Sequence, residues 1–333
     1  MWVDKILLAH GDGGLLTHQL IEDIFIQEFG SDILGEMGDA ADIECGKRIA
    51  FATDSFVVNP IFFPGGDIGK LACAGTINDL SVYGSRPCFL SVSFILEEGM
   101  PIEDLRKVVR SLGETARSAG VKIAAGDTKV VEKGKGDKIY INTTGVGEML
   151  KNFSQANKIK AGDAIIVSGN IGDHGAAIIS RRAGIDFKST IKSDCTPLNH
   201  IIVPLWETFD GIKLMRDPTR GGVATTLKEI ALKASKDFLI HEELLPFDPQ
   251  VKSAAEVLGL DPLYLANEGK FIAVVDRKIA EEVVDFIRRF PEGKNAAVIG
   301  EVLEGRGDVK LKTLLGGTKS LDMLAGEQLP RIC

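Results

Sequence analysis

The chain ends on a cysteine. Cys333 follows Leu329, Pro330, Arg331 and Ile332, so a thiol stands beside the free α-carboxylate. A terminus is a poor place for a core residue or a disulfide and a good one for a sulfur that must be carried. The roughly 20 residues from 313 onward, which include Gly316, Gly317 and Gly326, show no sustained periodicity. Fully extended, a segment of that length reaches about 65 to 70 Å. It could move the thiol between an internal site and another protein. The alternative is a frayed end that finishes in Cys.

Three carboxylates sit where predicted strands end or inside a helix. Asp54 lies in Thr53-Asp54-Ser55, Asp127 in Gly126-Asp127-Thr128-Lys129, and Asp79 inside the helix that follows Gly65-Gly66-Asp67. Acids arriving at strand ends and on a helix face supply the hard oxygens that Mg²⁺ takes, with positions left for nucleotide phosphates. Taken singly, each is a capping or turn residue, and Asp67 as a helix start needs no further role. His10-Gly11-Asp12-Gly13-Gly14 is rich enough in glycine to lay backbone N–H groups against phosphates. Arg216-Asp217-Pro218-Thr219-Arg220-Gly221-Gly222 opens a helix and gathers two guanidinium groups near its free N–H groups, which suits an anion; a plain helix start explains it equally. Glu268, in Asn267-Glu268-Gly269-Lys270, stands just before an apolar strand, where a general base or a turn acid could sit. The five histidines show no metal spacing and read as structural or solvent-facing, His10 being the possible exception.

Two familiar nucleotide signatures are absent. Pro64-Gly65-Gly66-Asp67-Ile68-Gly69-Lys70-Leu71 has Pro where a P-loop needs its first Gly, and Leu where Ser or Thr would hold the metal. No Gly-x-Gly-x-x-Gly follows a strand, so a dinucleotide fold has no support.

The elements that must position these residues alternate along the chain. In the first half the patterns predict strands at 48–57, 87–96, 121–125 and 138–148, and helices at 17–29, 67–83 and 101–119. The polar segment 152–162 is the expected domain boundary. Beyond it come a strand at 164–168, helices at 174–183, 197–209 and 222–234, a strand at 270–275, a helix at 277–290 and a strand at 296–303. This is an α+β, or mixed α/β, chain in two halves: 1–155, 156–312, and a flexible tail over 313–333.

Bulk properties agree with that division. A length of 333 residues allows two cores, and 44% apolar with 26% charged residues is ordinary soluble composition. There is no uninterrupted apolar run of membrane-spanning length, and residues 1–10 lack a basic segment followed by an apolar one. A net charge of −8 argues against a nucleic-acid or anionic-membrane surface. The five cysteines are odd in number, widely spaced and without a CxxC pair, which points to a reducing, cytoplasmic compartment rather than to disulfides or zinc. All but Cys333 read as small apolar residues.

Together, Thr53-Asp54-Ser55-Phe56-Val57-Val58, the segment 62–70, Asn78-Asp79-Leu80, Ala125-Gly126-Asp127-Thr128-Lys129-Val130, residues 217–222, Leu265-Ala266-Asn267-Glu268-Gly269-Lys270 and terminal Pro330-Arg331-Ile332-Cys333 resemble the HypE family of hydrogenase maturation proteins. The middle motifs are shared with the wider superfamily of aminoimidazole ribonucleotide (AIR) synthetase and selenophosphate synthetase, whereas the Pro-Arg-Ile-Cys end is specific to HypE. Asp12 departs from the small residue usual in the family's early loop. The resemblance implies a two-domain, PurM-like fold and an ATP-dependent dehydratase. HypF would place a carbamoyl group on the terminal thiolate. This chain would convert the thiocarboxamide to a thiocyanate and pass cyanide to the HypC–HypD complex for the iron of [NiFe]-hydrogenase. It further implies Mg-ATP at Asp54, Asp79 and Asp127, with Lys70, Asn78, Thr128, Gly11 and Gly13 as further ATP contacts. Lys129 would stabilise phosphate or the substrate oxygen, Glu268 would abstract the proton, and Cys333 would carry the substrate. Because Lys129 and Glu268 come from different halves, the site is expected between the domains or across a homodimer. Two other readings stay open: a synthetase or kinase acting on a free small molecule, which leaves Cys333 idle, and a non-catalytic adaptor that docks through its tail.

Overall fold

The structure, a computed structural model, describes residues 14–20, 22, 41–45, 47–182, 191–326 and 331–333. Gly11, Asp12, Gly13, His10 and most of the helix expected over 17–29 lie outside the described residues.

After a short helix α1 (Leu15–Leu20), the first half forms a mixed sheet from β1 (Ala41–Cys45), β2 (Lys47–Phe56), β5 (Ser85–Glu97), β6 (Lys122–Val131) and β7 (Ile139–Met149). Its spatial order is β1-β2-β7-β5-β6. Between β2 and β5 come the two-residue pair β3 (Phe62–Phe63) and β4 (Gly66–Asp67) and the helix α2 (Ile68–Tyr83). β5 and β6 are parallel, and their connection is the crossover helix α3 (Ile102–Ser118), as parallel pairing requires. α3 buries one stripe, Val108, Leu112, Thr115 and Ala116. In contrast, α2 is apolar nearly all round and is buried nearly all round, because it is held between this sheet and the second half. Asp67 caps α2 by accepting from Gly69 N–H (2.7 Å) and Lys70 N–H (3.1 Å), the role expected of it.

The second half contains β8 (Ala164–Val167), α4 (Asp173–Arg182), α5 (Asn199–Thr208), β9 (Ile212–Arg216), α6 (Gly222–Ala234), β10 (Lys236–His241), α7 (Pro249–Val257), β11 (Ile272–Val275), α8 (Ala280–Ile287), β12 (Ala297–Glu304), β13 (Val309–Lys312) and β14 (Thr318–Leu321). The sheet runs β14-β13-β10-β12-β8-β11-β9. β8 and β11 read as unbroken apolar runs because both faces are covered: Ile165, Val167, Ile272 and Val274 enter one core, and Ala164, Ile166, Ala273 and Val275 the other. The polar boundary segment pins the halves together. Ser154 Oγ donates to Val82 O (2.7 Å) and accepts from Met215 N–H (2.9 Å), and Trp206 Nε1–H donates to Ser81 O (3.1 Å).

Two expectations change. β6 continues to Val131, so Asp127 lies within a strand rather than beyond its end; as a sheet edge it is exposed along its length and shows no apolar alternation from which to read its extent. The stretch from 313 is not uniformly unpatterned either, since Thr318–Leu321 pairs antiparallel with β13. This edge strand buries only Leu321, and its main-chain hydrogen bonds leave no trace in a hydropathy pattern.

Candidate functional site

The end of the chain is drawn into the interface between the halves. Cys333 O accepts from Val57 N–H (3.2 Å) and Arg331 O from Asn59 N–H (3.2 Å), so the last residues run beside the exit of β2. Ile332 is 5% exposed and joins the core cluster that includes Phe63, Ile178 and Cys195. Arg331 adopts φ +56°, a left-handed conformation that a residue with a Cβ takes only where its surroundings hold it. In that conformation its guanidinium donates to Val57 O (3.1 Å) and pairs with Asp137, while Arg182 reaches Asn59 O and Arg331 O. His174 completes the seat, with Nε2 2.8 Å from Ile332 O.

Around the sulfur both halves contribute charged groups, and the second half supplies the cation. Asp54 comes from β2, Asp79 from α2, and Arg220 from the loop that opens α6. Glu268 stands at the entry to β11 and is 3% exposed. Arg220 lies 3.9 Å from Asp54, and its basicity is raised first by the Cys333 thiolate, then by Asp54, Glu268 and Asp79, against the cost of burial. Burial pushes the Cys333 thiol upward, opposed by Arg220 and reinforced by Glu268, Asp54 and Asp217. That shift disfavours the thiolate, the nucleophilic form, while the tail is seated. Glu268 is lifted well above the usual carboxylate range, chiefly by burial and then by Asp217, Asp194 and Asp54, and its Oε1 has no partner. Burial also raises Asp54, with Arg220 opposing. The arrangement is one partly exposed cation, Arg220, among acids, with the sulfur of Cys333 brought to it.

Not every expected residue arrives there. Asp54 pairs in register with buried Thr143 and faces inward, whereas Asp127 and Lys129 pair with Ser93 and Ile95 and face outward. Three strand spacings separate β2 from β6, about 14 Å at 4.8 Å each. Within one chain Asp54, Asp79 and Asp127 therefore do not converge on a metal, and among the described residues no group of three potential ligands does. Lys129 Nζ is 3.1 Å from Asp127 on the exposed edge strand, away from Glu268; Thr128 lies between them on that strand. Asn78 is a bracket instead of a nucleotide contact. It is 1% exposed, its Nδ2 donates to Thr196 O (3.1 Å) and Glu268 O (3.4 Å), and its Oδ1 accepts from Leu198 N–H (2.7 Å). Lys70 donates to Gly65 O (3.2 Å) and lines a cleft of about 410 Å³ between the halves with Lys192, Asp194, Lys270 and Lys294. Gly11 and Gly13 lie outside the described residues, although neighbouring Gly14 sits against Leu324, whose O accepts from Leu15 N–H (3.2 Å).

Two residues carry more of the site than the sequence indicated. Arg220 is its central cation, while Arg216 turns away to Glu229 (2.8 Å). Of the two roles expected of the histidines, His174 has the structural one: it is fully buried and bonded to the tail through Ile332 O. A helix is expected at 174–183, but nothing in the sequence indicates the partner that lies 158 residues away. Cys73 and Cys195 are buried, free and raised by desolvation, as small apolar residues are.

Fold and site together define a two-domain protein of the AIR synthase type with its C-terminal thiol seated between the domains. Residues 37–149 match the family of AIR synthase related protein, N-terminal domain, and residues 160–312 its C-terminal domain. Carbamoyl dehydratase HypE of Cupriavidus necator is 45% identical, with 99% of this chain and 95% of that protein covered, and the same protein of Escherichia coli K12 is 45% identical with 99% and 100% covered. A crystal structure of HypE in complex with ATP matches with a TM-score of 0.84 and 46% identity, covering 99% of this chain and 100% of that one; a HypE–HypF complex matches with 0.87 and 47%, covering 92% and 99%. The chain belongs to the HypE family of carbamoyl dehydratases that act in hydrogenase maturation. Among its described residues no helix is long and apolar enough to cross a membrane.

Proposed function

We propose that the chain dehydrates a carbamoyl group carried on Cys333 to a thiocyanate at the expense of ATP, supplying the cyanide ligands of the [NiFe]-hydrogenase iron. The observation that carries this reading is the terminal thiol seated beside Arg220 and Glu268. The amide oxygen is a poor leaving group. Attack of that oxygen on the γ-phosphorus of ATP releases ADP and leaves an O-phosphorylated imidate once one N–H proton is lost. Loss of the second N–H proton expels phosphate and forms the C≡N bond, with sulfur still attached to carbon. Arg220 neutralises charge on the oxygen and the phosphoryl group, and Glu268 accepts the proton. Its raised basicity, set by burial and by the neighbouring acids Asp217, Asp194 and Asp54, suits a group that must hold a proton once it is transferred.

The same reading extends to ATP contacts and partners. Lys129 and Asp127, with Thr128 between them on the same edge strand, reach the reaction from a second copy, because the outward face of the first sheet, which carries Asp127 and Lys129, exposes Phe51, Phe89 and Ile95 and suits a homodimer. Lys70 serves the phosphates from its cleft. The three acids of one chain do not fit a Mg²⁺ site, so any metal that accompanies ATP takes carboxylates from both copies, and no step is assigned to it. A HypF-type donor loads the thiol with the tail extended, and a HypC–HypD acceptor takes the cyanide. The unpaired thiols suit a reducing cytoplasm.

The test starts from chain carbamoylated at Cys333, adds Mg-ATP, and follows the loss of about 18 Da, one water, from the terminal peptide. Glu268→Gln keeps shape and polarity without a base and should slow that loss about 10²- to 10⁴-fold with near-normal ATP affinity. Wild-type dehydration in the variant removes Glu268 from the role, and a wild type that never loses the mass overturns the function.

A further inference from the structure

Hydrogen-bond direction fixes how the tail seat is wired. Ile332 O can only accept, so His174 Nε2, 2.8 Å away, carries the hydrogen. Nδ1 is then a lone pair, so the Ser193 hydroxyl at 2.8 Å donates to it. That leaves Ser193 Oγ to accept Cys195 N–H (3.1 Å). His174 is fully buried, and desolvation pushes it toward the neutral imidazole that this pattern demands. The far end of the chain is the segment 193–196, on which the placement of Glu268 depends. Asp194 Oδ1 accepts Glu268 N–H (3.0 Å), its Oδ2 pairs with buried Lys270 (3.3 Å), and Thr196 N–H reaches Glu268 O (3.4 Å). There is no slack between the two segments: a Cβ on Gly269 would lie 1.9 Å from Asp194 O.

We infer that His174 and Ser193 form a positioning relay that links seating of the tail to the placement of Glu268, so that the base is set only when Cys333 is home. The inference rests on the dehydratase reading above. With the tail withdrawn, the buried His174 N–H loses its acceptor, and the imidazole and the Ser193 hydroxyl are released to reorient. The coupling is reciprocal, so a correctly placed 193–196 segment also favours the seated tail. ATP is thereby denied a competent base when no substrate is present.

The experiment compares full-length wild type, His174→Leu, His174→Gln and Ser193→Ala by three readouts: alkylation of Cys333 by iodoacetamide without ATP, single-turnover dehydration with its ATP dependence, and melting temperature. His174→Leu should speed alkylation about 5- to 100-fold, the equivalent of a lost buried hydrogen bond. His174→Gln, whose amide N–H reaches the same carbonyl, should return alkylation to near the wild-type rate. Ser193→Ala leaves the tail contact in place but cuts the relay, so alkylation should change little while dehydration slows about tenfold at unchanged ATP KM. Alkylation of His174→Leu at the wild-type rate, or full-rate dehydration by Ser193→Ala, overturns the relay; should His174→Leu fail to fold, the other two variants still decide it. Alkylation needs neither ATP nor carbamoyl group, so a failed relay is distinct from a failed dehydratase, which would show as an inactive wild type.

Discussion

Replacing Ile332 by Ala should release the tail without unfolding the protein. Ile332 is 5% exposed in the first-half core cluster, its carbonyl bound to His174, and it is the only side chain of residues 331–333 that is buried. Truncating a buried Ile costs about 2 to 5 kcal/mol, and the low end applies here because the tail can lift away instead of leaving a cavity. A loss of about 2 to 3 kcal/mol at 1.4 kcal/mol per decade raises the withdrawn population roughly 30- to 150-fold. Seated Cys333 is half-buried and its thiolate is disfavoured by burial, so the alkylation rate of Cys333 in the full chain rises with the withdrawn fraction. The backbone bonds from Val57 and Asn59 to the tail persist in the variant and cap the gain below complete release. The melting temperature should stay within a degree or two. Unchanged alkylation would refute a docked tail, and a fall of about 5 °C or more would show Ile332 to be part of the fold itself.

Asp173, at the start of α4, is raised to about 6, first by burial and then by the charge of Asp194. Its protonated form is favoured in the folded state, so its contribution is present below about pH 4 and is lost as pH rises through about 6; chemical denaturation should show about 1 to 2 kcal/mol of that slope, discounted for partial exposure, and Asp173→Asn should flatten it. Asp79→Asn and Asp127→Asn should each weaken Mg-dependent ATP binding about tenfold or more by calorimetry. Ile95→Asp, which puts a charge on the outward sheet face, should reproduce the Asp127 loss by breaking the proposed dimer; unchanged affinity in all three variants would return both acids to helix and strand roles.

The sequence by itself determined the division into two α+β halves, the helix cap at Asp67 and the buried runs at 164–167 and 272–275, because these are local matters of periodicity and capping, and its motifs singled out Cys333 and Glu268 as the candidates for the proposed chemistry. It also carried the family, through short motifs spread over nearly the whole chain. Tertiary structure alone decided which acids share a space. Asp54 and Asp127 look equivalent in their motifs, yet strand order and the two-residue pleat put them on opposite faces of one sheet, three strands apart. Asn78 resembles a nucleotide contact until the fold wraps it in the backbone of residues 196, 198 and 268. Arg220 and His174 become central only when residues more than a hundred positions apart in sequence are packed together. The tail motif marks a thiol at the end of this sequence, but its seat is built from β2, α4 and the 193–196 segment, and no local pattern encodes a contact made by elements that meet only when both cores have formed.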